Sequence, residues 1–218
     1  NLIPNLISRG VAFADGMIFV GRLDGKMVAL DANTGKEMWK TTVVDYKQGS
    51  VITSPPLVVK DKVIIGFGGG EYGVRGSLQA FDLKTGKEVW RTYTVPLKAE
   101  ANGDTWKGDS AEHGGGAAWL TGTYDPKTNT VFWGTSNPGP WNTAIRSTGD
   151  GNFGKLSNLY TSSTIALDPD SGKIKWGFQH TPNDPYDYDS INENTFVDTQ
   201  INGAFRRATL HANRNGYA

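Results

Sequence analysis

The chain has 218 residues, room for one large domain or two small ones, with 22 Lys plus Arg balancing 22 Asp plus Glu. That balance offers no global field to nucleic acid or an anionic membrane, and no run of 18 apolar residues is present to span a bilayer. Cysteine is absent, which removes disulfides, thiolate metal sites and cysteine nucleophiles together. The 28 Gly, 7 Trp, 8 Tyr and 9 Phe, with no long stretch of helical apolar spacing, lean towards an all-β fold. The chain opens at Asn1 and stops at Gly216-Tyr217-Ala218 in what reads as the start of a strand. Both ends read as cuts, leaving room for a targeting segment upstream.

In chain order, residues 11–14 and 17–21 flank Asp15-Gly16, a good hairpin turn, and 29–39 then reads ALDANTGKEMW. Residues 57–60 and 62–67 flank Asp61, and 80–90 reads AFDLKTGKEVW. Residues 119–124 and 130–135 flank Pro126-Lys127-Thr128-Asn129, and 166–176 reads ALDPDSGKIKW. Five positions recur in all three phrases, so the repeat is not chance. Each phrase predicts a strand ending at Asp31, Asp82 or Asp168, then a tight turn with Gly35, Gly86 or Gly172 at positive φ. A second strand carries Trp39, Trp90 or Trp176, a ring suited to packing between sheets. With the hairpin ahead of each phrase, every unit has four short strands, the size of a propeller blade. Residues 206–213 are read as the beginning of a fourth unit. The total is about three and a half blades, too few to close a propeller. The third unit is longer because of a Gly-, Asn- and Ser-rich insertion at 136–160, and a stretch that long without strands is more often functional than idle.

Four loops hold candidate chemistry. In GFGGGEYGVRG (66–76) three glycines satisfy the dinucleotide pattern, but a strand follows where a helix would be needed, so a nucleotide site is rejected. The glycines instead allow close approach of a flat ligand with Glu71 beside it, or they form a loop with a solvated Glu. Asn137, in SNPGPWN (136–142), offers a carbonyl oxygen to a hard cation or caps its own turn. Asp187 and Asp189 stand at i and i+2, sharing one face of an extended strand, aimed together from an exposed loop, or lying in an acidic surface turn. Arg214, among turn-forming Asn and Gly, clamps a carbonyl or carboxylate or sits in a solvated turn. His113, His180 and His211 have no metal-ligand spacing and are read as structural or surface residues.

SRGVAF (8–13), GEYGVRG (70–76), GGAAWLTGTYDP (115–126), GTSNPGPWN (134–142), the ALDPDSGKIKW phrase, DYD (187–189) and HANRNG (211–216) occur along nearly the whole chain. Together, and in this order, they resemble the methanol and ethanol dehydrogenases that use pyrroloquinoline quinone (PQQ). The resemblance implies a fragment, residues 1–218, of an eight-bladed propeller with PQQ on its axis. It implies oxidation of a small primary alcohol, a cytochrome c-type electron acceptor and a periplasmic location. Glu71, Asn137 and Asp187 match the metal ligands, and Asp187 also matches the general base. Arg214 matches the residue bonding the quinone oxygen, and with Asp187 completes the catalytic pair. Trp119 matches the indole stacked on PQQ, and Arg9, Thr53, Gly69 and Gly70 match other cofactor contacts. Asp189 matches a second Asp found in lanthanide-using relatives, so the expected ion is a lanthanide, with calcium the alternative.

Two departures stand out. Ile3-Pro4 occupies the place where many relatives carry adjacent, disulfide-linked cysteines, and Ala117 replaces a Thr that bonds the cofactor in several. A cofactor-free propeller, whether scaffold or sensor, would share the Trp phrases but has no use for Glu71, Asn137, Asp187 and Arg214 in matching loops. A sugar dehydrogenase of the same superfamily fits the repeats but fits NPGPWN and DYD less well. By itself, the chain is expected to be inactive.

Overall fold

The computed structural model describes residues 7–148 and 155–218, so Ile3-Pro4 and part of the 136–160 insertion lie outside the described residues. It is all-β and built from four-stranded antiparallel meanders, the blades of a β-propeller. The first sheet runs β1 (Ala12–Ala14), β2 (Met17–Gly21), β3 (Lys26–Asp31) and β4 (Glu37–Thr42) in spatial order. The second is β5 (Leu57–Val59), β6 (Lys62–Ile65), β7 (Ser77–Asp82) and β8 (Glu88–Tyr93). The third is β9 (Thr123–Asp125), β10 (Thr130–Gly134), β11 (Ser163–Leu167) and β12 (Ile174–Gln179). A hairpin, β13 (Thr195–Ile201) and β14 (Ala204–Leu210), opens a fourth unit.

The repeated phrase has a physical cause at each conserved place. Its Ala lies directly across from its Trp, as Ala29–Trp39, Ala80–Trp90 and Ala166–Trp176, so a small side chain faces a large one. The carboxylate that ends the strand closes the turn. Asp82 Oδ1 accepts from the Thr85 amide at 2.8 Å and the Thr85 hydroxyl at 2.7 Å. Asp31 and Asp168 do the same with Thr34 and Ser171. These bonds hold all three carboxyls below the usual carboxylate range.

The glycine of one phrase also meets the tryptophan of the phrase before it. A Cβ on Gly86 would stand 2.5 Å from the Trp39 ring, and one on Gly172 2.6 Å from the Trp90 ring. Each indole then donates across to the neighbouring blade, Trp39 Nε1 to the Leu83 carbonyl at 2.9 Å and Trp90 Nε1 to the Pro169 carbonyl at 3.0 Å. The tryptophans thereby dock one blade on the next. Two buried clusters result. One gathers Phe19, Met27, Trp39, Ile65 and Phe81 between the first and second sheets, and the other Ile64, Trp90, Val131, Trp133 and Ile165 between the second and third. Trp90→Ala should cost about 3–5 kcal/mol, by loss of burial, the cavity left and the broken bond to Pro169. A denaturant midpoint unchanged by this substitution would contradict the docking role.

Several expectations need correcting. Trp176 has the same register as its counterparts but is 46% exposed, its ring meeting Phe132 edge-on at 5.6 Å between centroids. The fourth unit begins at Thr195, not at 206, because β13 pairs along its whole length with β14 around an Asn202-Gly203 turn in which both residues have positive φ. Trp119 precedes β9 instead of opening it, and the 136–160 insertion contains a short helix, α1 (Thr143–Arg146). The histidines are structural as expected: His180 and His211 stack at 4.4 Å, and burial pushes His180 down to about 4, so it is neutral at physiological pH.

Candidate active site

In an antiparallel meander the start of the first strand and the end of the second lie at the same end of the sheet. Every candidate residue falls in one of those two places. Arg9 precedes β1, Thr53 precedes β5, Trp119 precedes β9, and Asp187 and Asp189 precede β13. Gly69, Gly70 and Glu71 follow β6, Asn137 follows β10, and Arg214 follows β14. Topology alone therefore gathers residues spread over more than 200 positions at one end of adjacent blades.

They meet around a cavity of about 350 Å³, whose lining includes Arg9, Thr53, Gly69, Glu71, Trp119, Asp187, Asp189 and Arg214. That volume suits a small ligand. The Arg9 amide donates to the Thr53 carbonyl at 2.9 Å, and its guanidinium lies 4.9 Å from the Trp119 ring centre. The Trp119 carbonyl in turn accepts from the Thr53 hydroxyl at 3.5 Å. One wall is thus an indole with a cation stacked on it, held through the backbone. Gly69 has φ 115°, and a Cβ there would stand 2.2 Å from the Gly49 carbonyl oxygen. Only glycine fits, and it lets the backbone form the cavity floor. Gly70 is buried and starts the one-turn 3₁₀ segment Gly70–Tyr72, with Glu71 at its centre.

The acidic residues are not on an extended strand. Asp187 and Asp189 both have left-handed backbone, with φ 60° and 58°, in the loop between β12 and β13. Nor is that loop open: Asp189 is 4% exposed and points into the cavity wall, not to solvent. Its Oδ1 accepts from the Asn137 amide at 2.7 Å and its Oδ2 from Arg214 Nη1 at 3.2 Å. Burial, with the charges of Asp187 and Glu71, pushes the Asp189 carboxyl up to about 7 against the pull of those two donors. The Asp187 carboxyl is also raised, by burial and then by Glu71, with Arg214 opposing. Asn137 departs from expectation. Its side chain is 97% buried behind Asp189, outside the cavity lining, and its Nδ2 donates to the Pro138 carbonyl at 3.1 Å.

The donor set is chemically that of a hard-cation site, with carboxylate and amide oxygens and no sulfur or imidazole. Burial and nearby negative charge leave Asp187 and Asp189 needing positive charge, which an ion would supply. Among the described residues, no three of His, Asp and Glu stand close enough to hold an ion unaided. The residues fit a metal that takes further donors from Asn137 and from a ligand in the cavity.

Residues 4–218 match the family profile described as PQQ, the glucose/ethanol/alcohol dehydrogenase β-propeller domain. The chain belongs to that family. A lanthanide-dependent methanol dehydrogenase of Methylacidiphilum fumariolicum (strain SolV) is 42% identical over 98% of this chain. A quinoprotein alcohol dehydrogenase of Pseudomonas putida, PedH, is 41% identical over the same share. The chain spans 37% of the length of each. Among solved structures, a europium-containing methanol dehydrogenase superposes with a TM-score of 0.89 at 40% identity, covering 97% of this chain and 39% of that one. The quinohemoprotein alcohol dehydrogenase from Comamonas testosteroni superposes with a TM-score of 0.87 at 41% identity, covering 97% and 33%. Membership of a PQQ enzyme family sets aside the cofactor-free scaffold or sensor. Two side chains of this site region escaped the sequence reading: Arg146, the last residue of α1, and Asp184, just outside the DYD motif.

Proposed function

We propose that the protein containing this chain oxidises a small primary alcohol with PQQ and a bound metal ion, a lanthanide in preference to calcium. The carrying observation is the convergence of Trp119, Arg9, Arg214, Glu71, Asp187 and Asp189 on one cavity of ligand size. When bound, PQQ supplies a quinone able to accept hydride, and the metal supplies a Lewis acid that polarises it.

The chain's own residues supply the rest. Trp119 presents a flat face to a planar ring, with Arg9 on hand for an anionic substituent. Gly69 keeps the floor free of side chains. Arg214, half exposed and already turned to Asp189, donates to a carbonyl oxygen as negative charge grows on it. Asp187, which lines the cavity, accepts the hydroxyl proton of the alcohol. Glu71, Asp187 and Asp189 would hold the ion, joined by the side-chain oxygen of Asn137 once its Nδ2 turns from the Pro138 carbonyl.

Our reading includes a cytochrome-type electron acceptor and a periplasmic location; two of the relatives are named quinohemoprotein alcohol dehydrogenases. Among the described residues no helix is long and apolar enough to cross a membrane. The test is a PQQ titration of the metal-loaded, full-length protein followed by tryptophan fluorescence. Wild type should bind PQQ and reduce an artificial dye when alcohol is added. Trp119→Ala should weaken PQQ binding by about 5–150-fold, from the roughly 1–3 kcal/mol that stacking on an aromatic ring contributes. Unchanged PQQ affinity in that variant would contradict the placement.

A further inference from the structure

The loop that carries Asp187 and Asp189 is held from behind by two charged residues that do not line the cavity. Arg146, the last residue of α1, is fully buried, and all five of its guanidinium N–H groups find acceptors. Nε donates to the Pro140 carbonyl at 2.7 Å, and Nη1 to the side-chain oxygens of Asn158, at 2.7 Å, and Asn183. Nη2 donates to the Asp184 carbonyl at 2.7 Å and the Trp141 carbonyl at 3.5 Å. One cation therefore ties the segment after Asn137 to the segment before Asp187. Burial lowers the Arg146 guanidinium to about 10, which leaves it charged at neutral pH.

Asp184 continues the chain of contacts. It is also fully buried, and its carboxylate is spent on the loop itself. Oδ1 accepts from the Tyr186 amide at 2.8 Å, and Oδ2 from the amides of Tyr188 at 2.8 Å and Asp189 at 3.3 Å. The Ser162 hydroxyl, from the strand-entry side of β11, anchors the same oxygen at 3.0 Å. These amides bracket Asp187 on both sides and fix a loop with two non-glycine residues in left-handed backbone, a conformation that needs external support. At the far end, Asp189 bonds the Asn137 amide and closes the bracket.

We propose that Asp184, braced by Arg146, is a positioning residue that sets where the Asp187 and Asp189 carboxylates stand in the cavity. The proposal rests on the PQQ and metal reading above. Partners behind metal ligands of this kind tune affinity without touching the ion. The rival explanation is that Asp184 merely stabilises the fold. Asp82 provides the matched control, because its carboxylate makes the same kind of amide and hydroxyl bonds in a turn at the opposite end of the second sheet.

The experiment uses the full-length protein with PQQ and compares wild type, Asp184→Asn, Ser162→Ala and Asp82→Asn. Lanthanum Kd, kcat and KM, melting temperature and hydrogen exchange of the 186–189 amides are measured. Asp184→Asn should weaken lanthanum binding about 10–100-fold and release exchange protection at 186–189. Ser162→Ala, a milder change that keeps the carboxylate, should move both in the same direction by about threefold or more. Asp82→Asn should lower the melting temperature and leave the lanthanum Kd within about twofold of wild type. Wild-type Kd in both Asp184→Asn and Ser162→Ala would overturn the proposal, as would an equal loss in Asp82→Asn. If Asp184→Asn does not fold, Ser162→Ala decides. A wild-type protein that binds neither PQQ nor lanthanum would overturn the functional reading and this proposal with it.

Discussion

Asp187→Ala in the full-length protein should lower kcat for alcohol oxidation by about 10²–10⁴-fold while PQQ stays bound, the range set by losing a positioned general base. Asp187 lines the cavity beside Glu71 and Arg214, where a bound alcohol would meet its carboxylate. Trp119 and Arg9, the wall proposed to meet the planar ring, lie on other blades and do not depend on it. Asp187→Asn separates the two duties given to this residue. An amide oxygen can still contribute to a metal but cannot take a proton, so the Asn variant should bind the ion better than Ala yet remain as inactive. The check is steady-state dye reduction together with PQQ content read from absorbance. A loss under about 10-fold in both variants would place the base elsewhere.

Asp189→Ala should abolish any advantage of lanthanum over calcium and leave the calcium activity in place. A trivalent ion attracts carboxylates more strongly, and an added anion offsets its extra charge in a site already containing Glu71 and Asp187. With a divalent ion the same carboxylate is under-compensated and repels its neighbours. In the structure Asp189 is buried, not solvated, and its two oxygens are turned to Asn137 and Arg214. It lines the same cavity as Glu71 and Asp187, where its carboxylate would join them on an ion. Activities are compared after reconstitution with PQQ and either ion. Equal lanthanum activity in the variant would show that Asp189 is not a ligand.

The blade architecture was legible because its causes are local. Ala opposite Trp, the Asp that closes its own turn on Thr or Ser, and a Gly flat against the preceding indole all lie within one eleven-residue phrase and its neighbour. Where that phrase is absent the reading faltered. The β13 strand was missed because it carries Asp198 and Gln200 on a largely exposed hairpin, although Asn202-Gly203 was a usable turn signal. Site residues were readable only through resemblance, since their loops converge by topology and no spacing reveals it. The sequence left Asp187 and Asp189 open between an extended strand, an exposed loop and a surface turn, because left-handed aspartates leave no pattern. Arg146 and Asp184 were invisible for a related reason: their partners are carbonyls and amides, which every sequence has.

The most direct test of the PQQ and metal site is a crystal structure of the full-length protein loaded with PQQ and lanthanum, with the ion located by its anomalous scattering. The account predicts the ion among Glu71, Asp187 and Asn137 at oxygen distances of about 2.3–2.6 Å, with Asp189 joining them and the PQQ ring against Trp119. An ion bound away from these residues, or PQQ absent from the Trp119 wall, would contradict it.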